Sequence, residues 1–193
     1  MNLPHPAILD PNDHSEAAVL RDMRLWFDRA VVGQNLCPFA KAVQAKQQVR
    51  WVVSAATDTT GLIDDLMREL RFLADADPEQ IDTTLLIHPQ VLEDFLDFND
   101  FLELAEAAVV ELELEGEIQV ASFHPQFQFA DAHAGDISHA SNRSPYPTLH
   151  LLREASIDRA VAAFPEAEAI YERNIETLRK LGHEGWRKLF TPP

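Results

Sequence analysis

The chemistry this sequence can offer starts from one thiol and two identical tripeptides. Cys37 is the only cysteine in 193 residues. It lies in Asn35-Leu36-Cys37-Pro38-Phe39-Ala40, where Pro38 suits the first position of a helix. A cysteine at such a place feels the positive end of the helix dipole, which lowers its pKa. A thiolate beside an imidazole is the minimum for nucleophilic catalysis. The same residue also reads as a small hydrophobe packed with Leu36 and Phe39. The imidazoles come from His88-Pro89-Gln90 and His124-Pro125-Gln126, each directly after an apolar strand-like run. If those strands are parallel, both histidines stand at the carboxyl edge of a sheet, where open α/β folds bind ligands. The plainer reading is that each proline ends a strand ladder and each histidine braces a turn.

A second group of candidates follows in Asn142-Arg143-Ser144-Pro145-Tyr146-Pro147. It places an amide, a guanidinium and hydroxyls in a turn stiffened by two prolines. Arg143 there, and Arg153 further on, suit bidentate capture of a carboxylate or phosphate. Asn142, Tyr146, His150 and Glu154 complete the expected binding group. The competing reading is that Arg143 pairs with one of the chain's 32 carboxylates, and that Glu154 pairs with either arginine. His150 shares a strand face with Thr148 and Leu152 and also reads as a satisfied core histidine. As metal ligands, Cys37, His88, His124 and His150, with Asp131, Asp136 or Glu154, have the right chemistry but no recognised spacing. His133 and His139, six apart in a loop, add little, so no metal ligand is assigned. No cofactor is assigned either. There is no Gly-x-Gly-x-x-Gly, no phosphate-binding loop and no Gly-x-Ser-x-Gly elbow.

The elements that must position these groups read as α/β, or α+β. Hydrophobic periodicity predicts a helix over about 15–32 with Val19, Met23, Trp26, Phe27 and Ala30 on one face, then a short helix opened by Pro38. Strands follow at 49–54, 83–87, 118–123 and 148–153. Helices of about 17 residues from Thr57 or Asp58, and from Val91 to about Glu115, lie between the first three. Gly116 is the expected helix stop. Further helices are predicted from Ser156 to Phe164 and from about Pro165, with Gly182 and Gly185 bending the chain before Trp186 and Phe190 dock. The alternation predicts a sheet of about four strands, the first three largely parallel, with helices packed on it. Residues 1–193 read as one domain, with 1–13 an extended lead-in and 126–147 a long functional loop, packed through Phe127, Phe129 and Tyr146.

Bulk properties narrow the partners. A net charge of -16 disfavours nucleic acid and anionic membrane surfaces, while a few local arginines still admit a small anionic molecule. The N-terminus shows no signal-peptide pattern and no apolar run has membrane-spanning length. A cytoplasmic location is expected by elimination.

The stretches Asn35–Ala40, Leu86–Pro89, Phe123–Pro125 with Phe127 and Phe129, and above all Asn142–Glu154 together resemble a bacterial family catalogued as domain of unknown function 1415. The likeness runs from about Ala18 to about Lys180. It implies a stand-alone single-domain protein and brings no nameable activity. It points to Cys37, His88, His124, Asn142, Arg143, His150, Arg153 and Glu154. The family more often carries tyrosine and threonine where this chain has His139-Ala140-Ser141, which weakens a role for His139.

The leading expectation is a small soluble enzyme, a thiol- and histidine-dependent hydrolase or group transferase. Cys37 would be the nucleophile, His124 helped by His88 the base, and the arginines the clamp on an anionic substrate. The alternatives are a Cys/His metalloprotein and a non-catalytic ligand- or peptide-binding module.

Overall fold

The computed structural model describes residues 5–163 and 169–191. Helix α1 (Glu16–Trp26) is capped by the Ser15 side chain, which accepts from the Ala18 amide. It runs on into a wider π-helical turn, Phe27–Val32. There the Gly33 amide donates to Asp28 O at 3.0 Å. A Cβ on Gly33 would stand 2.5 Å from Arg29 O, so the turn closes only over glycine. The short helix α2 (Ala40–Ala45) follows. It begins two residues past Pro38, so Cys37 lies in the preceding turn and not at the helix cap.

Strand β1 (Val49–Val53) leads to α3 (Thr59–Asp75), whose N-cap Asp58 accepts from the Gly61 amide at 2.8 Å. Strand β2 (Thr83–Ile87) is buried throughout. Helix α4 (Phe95–Glu111), capped by Asp94, starts later and ends earlier than periodicity predicts. Leu92 and Glu113 take left-handed backbone at its two flanks, and Gly116 (φ 78) instead turns the chain into β3 (Ile118–Phe123). A 3-10 turn (Ile137–Ser141) interrupts the long loop before β4 (Thr148–Arg153). Helix α5 (Glu154–Ala163) follows directly, and α6 (Ile170–Lys188) is kinked at Gly182. The expected helix boundaries at Phe164 and Pro165 lie outside the described residues.

The fold is α+β, with a four-stranded mixed sheet in the order β1-β2-β4-β3. Only β1 and β2 pair in parallel; β4 is antiparallel to both its neighbours, β2 and β3. The expectation that the first three strands pair largely in parallel is therefore corrected. They point the same way, but β4 is inserted between the second and third.

Strand alternation sends side chains to two separate cores. Leu86, Leu149 and Leu151 meet Leu62, Leu66, Leu70 and Leu73 of α3 and Phe98 and Phe101 of α4. On that face Arg50 forks onto Glu69 at 2.7 Å, and the Ser54 hydroxyl donates to Asp65 at 2.5 Å. The opposite face carries Trp51, Ile87 and Phe123 under Met23, Trp26 and Phe27. Trp186 and Phe190 dock into that second core, as the sequence predicts. His5 stands edge-on to both rings, so the lead-in is packed down at His5 and Ala7 and exposed from Leu9 to Asn12.

Candidate functional site

A cavity of about 350 Å³ opens between the α1 face of the sheet and the helices above it. Its floor is the amino-terminal half of β1–β3 and the facing half of β4, from Val49 through Thr83 and Leu85 to His150 and Ala121. Phe27 and Val31 of the π turn, Ala40 and Val43 of α2, and Ile157 and Ala160 of α5 form the walls. Small residues make the space, because Ala40, Ala121 and Ala160 stand where larger side chains would fill it. Widened π turns recur beside functional sites, and here the turn carries two of the wall residues.

The hydrogen-bonded polar part of the floor is a pair from β2 and β4, and Gln119 of β3 adds an exposed amide beside it. Thr83 Oγ1 lies 2.7 Å from Leu151 O and 2.8 Å from His150 Nε2. A carbonyl can only accept, so the hydroxyl proton goes to Leu151. His150 Nε2 must then carry its own proton and donate to Thr83. Nδ1 is left as an acceptor without a protein partner among the described residues. Burial pulls the His150 pKa down to about 4, so the ring is neutral at pH 7. His150 is thus no plain core histidine, and no arginine of the predicted binding group shares its surroundings in a free state.

Cys37 lines the same cavity from the helical side. Burial raises its pKa, and this outweighs the Ala40 and Phe39 amides that lower it. The expected dipole-activated thiolate is therefore corrected to a protonated thiol. No hydrogen bond joins Cys37 to His150; the cavity lies between them.

The other two predicted catalytic residues are elsewhere. Phe123 faces the cavity side, so its neighbour His124 faces the α4 side. Its ring stacks on Phe98 with centroids 5.0 Å apart, and His88 stacks on the same Phe98 at 5.6 Å. His124 Nε2 donates to Leu92 O at 3.1 Å, and its Nδ1 accepts from the Gln126 amide. His88 Nδ1 donates to Val91 O at 2.9 Å. Burial lowers both pKa values, that of His88 to about 4. Both histidines brace the 88–94 loop. The expected Cys37–His124 pair is corrected, because one strand's alternation places the two on opposite faces of the sheet.

The carboxyl edge itself is occupied by the chain's own turn. The His88 amide donates to Pro147 O, and the His124 amide to Asn142 O. Ser144 and Thr148 hydroxyls both donate to Tyr146 O. Asn142 caps the 3-10 turn and accepts from the Ser141 hydroxyl. Tyr146, expected at a substrate, instead donates its hydroxyl to the fully buried Asp22 at 3.1 Å. Burial, and then the nearby Asp22 carboxylate, raise its pKa. His139 holds the loop through the Phe129 amide and His133 O. Helix α6 clasps the loop through Arg179–Asp136 and Tyr171 on Phe129, so 126–147 is a packed loop.

Arg153 and Glu154 are likewise structural. The Arg153 guanidinium, at the cavity margin, donates to Leu73 O and Ala76 O (2.6 Å) and to Ile81 O, closing the carbonyl end of α3. Glu154 opens α5, its amide on Glu117 O, and pairs with neither Arg143 nor Arg153 among the described residues. Asp82, also at the margin, accepts from Ser156 Oγ at 2.5 Å and has Arg159 at 4.0 Å. Arg143 remains the exception. Its Nε donates to Phe127 O at 3.0 Å, it is half-buried, and no carboxylate lies within ion-pair distance among the described residues. No group of three or more His, Cys, Asp or Glu side chains is gathered as for a metal among the described residues, and the four proposed ligands divide between the two sheet faces.

Sequence reasoning missed Asp22, Thr83 and Ala121. Asp22 was legible as the one acid on an otherwise apolar helix face. The others were legible as polar and small residues whose strand parity matches His150. The cavity itself was not legible, because it depends on how far α2 and α5 stand from the sheet.

No described helix is long and apolar enough to cross a membrane. A family model described as "Protein of unknown function (DUF1415)" matches residues 18–188. No curated protein and no solved structure matches the chain.

Proposed function

From the premise that this chain belongs to the DUF1415 family, a family of unknown function, we propose that it is a non-catalytic module that binds a small, largely apolar molecule in the cavity over the sheet. The observation that carries this reading is the cavity of about 350 Å³ with its apolar walls and a few polar floor groups, Thr83, His150 and Gln119, the usual make-up of a small-molecule site. The reading gains from the state of the two reactive residue types beside it. The thiol is held protonated and the imidazole is a weak base, so neither is tuned for catalysis near neutral pH.

The test is a titration with the uncharged fluorophore 6-propionyl-2-(dimethylamino)naphthalene. Saturable binding of one molecule per chain is expected. Ala121→Phe, which fills the floor, should weaken it at least about tenfold with an unchanged circular dichroism spectrum. Equal affinity in both proteins would place the fluorophore elsewhere and remove the reading.

A second reading rests on Arg143, whose fork lacks an acidic partner among the described residues although the chain carries 32 carboxylates. It would hold a small carboxylate or phosphate at the loop surface, apart from the cavity. Calorimetry with inorganic phosphate on wild type and Arg143→Gln decides it; identical heats end it. A cytoplasmic location belongs with both readings and is supported by a single, unpaired cysteine.

A further inference from the structure

We infer that the molecule bound in this cavity is uncharged and carries an N–H or O–H group that donates to Nδ1 of His150. The inference rests on the binding reading above and names the chemistry of its ligand.

Proton accounting carries it. Thr83 has one hydroxyl proton and two close neighbours, Leu151 O and His150 Nε2. If that proton went to Nε2, two oxygens would face each other at 2.7 Å with no hydrogen between them. With it on Leu151 O, each contact holds one proton, and Nε2 is the donor. Thr83 therefore locks the tautomer, and Nδ1 presents a lone pair. His150 lies deep among protein atoms yet keeps accessible surface, and the cavity is the space it lines. The cavity thus offers an acceptor at its floor.

The charged groups at the margin are already committed. Asp82 accepts from Ser156 at 2.5 Å, and Arg153 is spent on carbonyls of the α3 end and Ile81. The margin carries one formal charge of each sign, Arg153 and Asp82, so a charged ligand would lose its hydration and meet no net counter-charge. A hydrocarbon would cover Nδ1 and leave it unpaired. An apolar body with one donor satisfies both conditions.

The probes are indole, indene and benzofuran, three bicycles of nearly equal size. Only indole has a donor, benzofuran has an acceptor, and indene has neither. Their affinities for the full-length protein are measured by protein-observed NMR titration. Indole is expected to bind about tenfold tighter than the other two. His150→Phe should abolish that preference while indene still binds. The comparison in wild type needs no variant, so a poorly folding variant does not spoil it. Equal binding of indole and indene overturns the inference and leaves the cavity reading standing. A preference for benzofuran overturns it by reversing the polarity of the floor. Failure of all three, together with failure of the neutral fluorophore, removes the inference along with the reading under it.

Discussion

At the scale of single residues, two side chains decide how the site behaves. Cys37 is the more testable. Its thiol is held protonated in a half-buried position, so the folded protein should react with 5,5′-dithiobis(2-nitrobenzoate) at pH 8 several-fold more slowly than the urea-unfolded chain. Occupying the cavity with the fluorophore should slow it further. Equal rates would mean an unshielded thiol, and a folded protein that reacts faster than the unfolded chain would mean an activated one and revive a nucleophile. Tyr146 is the second. Its hydroxyl serves a carboxylate with no access to water, alongside Arg21 Nε at 2.9 Å. Tyr146→Phe should therefore lower stability by about 2 kcal/mol, roughly 4–8 °C in Tm, while ligand affinity stays unchanged. Calorimetric melting checks the first part and the fluorophore titration the second. Both residues stand in stretches whose composition marked them out. What composition could not convey is direction. Parity along β3 sends Phe123 and His124 to different faces, and that one alternation separates the thiol from the histidine expected to be its base.

At the scale of elements, local signals were strong where they were purely local. β2, β3 and β4 match their predicted bounds, and α3 has its predicted 17 residues and an aspartate cap. The π turn and the late start of α4 escaped, because they arise from backbone crowding and left-handed residues rather than from apolar spacing. The π turn offers its own prediction. A methyl on Gly33 meets the Arg29 carbonyl, a backbone atom that cannot swing aside. Gly33→Ala should cost about 2 kcal/mol in urea unfolding. It should also weaken fluorophore binding, since Phe27 and Val31 hang from the same turn. A variant as stable as wild type would show that the turn relaxes to an ordinary helix without loss.

At the scale of the whole molecule, the acid response follows from four histidines that burial holds below their ordinary pKa, His124 among them. His5 is held down to about 3, and His88 and His150 to about 4, all chiefly by burial. Their ordinary pKa is near 6.5. Between those values the unfolded chain binds protons that the folded chain refuses, so stability rises with pH in that window. It is fully present above about 6.5 and lost as pH falls toward 4. Asp136, held near 2 by the Ser138 amide and hydroxyl and by Arg179, withdraws its contribution only below the usual carboxylate range. Urea midpoints at pH 7 and pH 4.5 test this, with a clearly lower midpoint expected at 4.5. A flat profile would mean that these rings are solvated in the folded protein.

The central place of β4 also governs when the molecule can be finished. Thr83 waits for Leu152 and Ile118 for Arg153, so the strand that joins the two halves of the sheet is the last of the four to leave the ribosome. Until residue 153 has emerged, β1 and β2 form a two-stranded ribbon with an open edge, and β3 has no partner. A nascent chain of about 147 residues is therefore an assembly with two unsatisfied edges, prone to pair with other chains. The floor of the cavity, which needs His150 from that late strand and Thr83 from the waiting one, forms only when β4 pairs, and α5 then adds its wall.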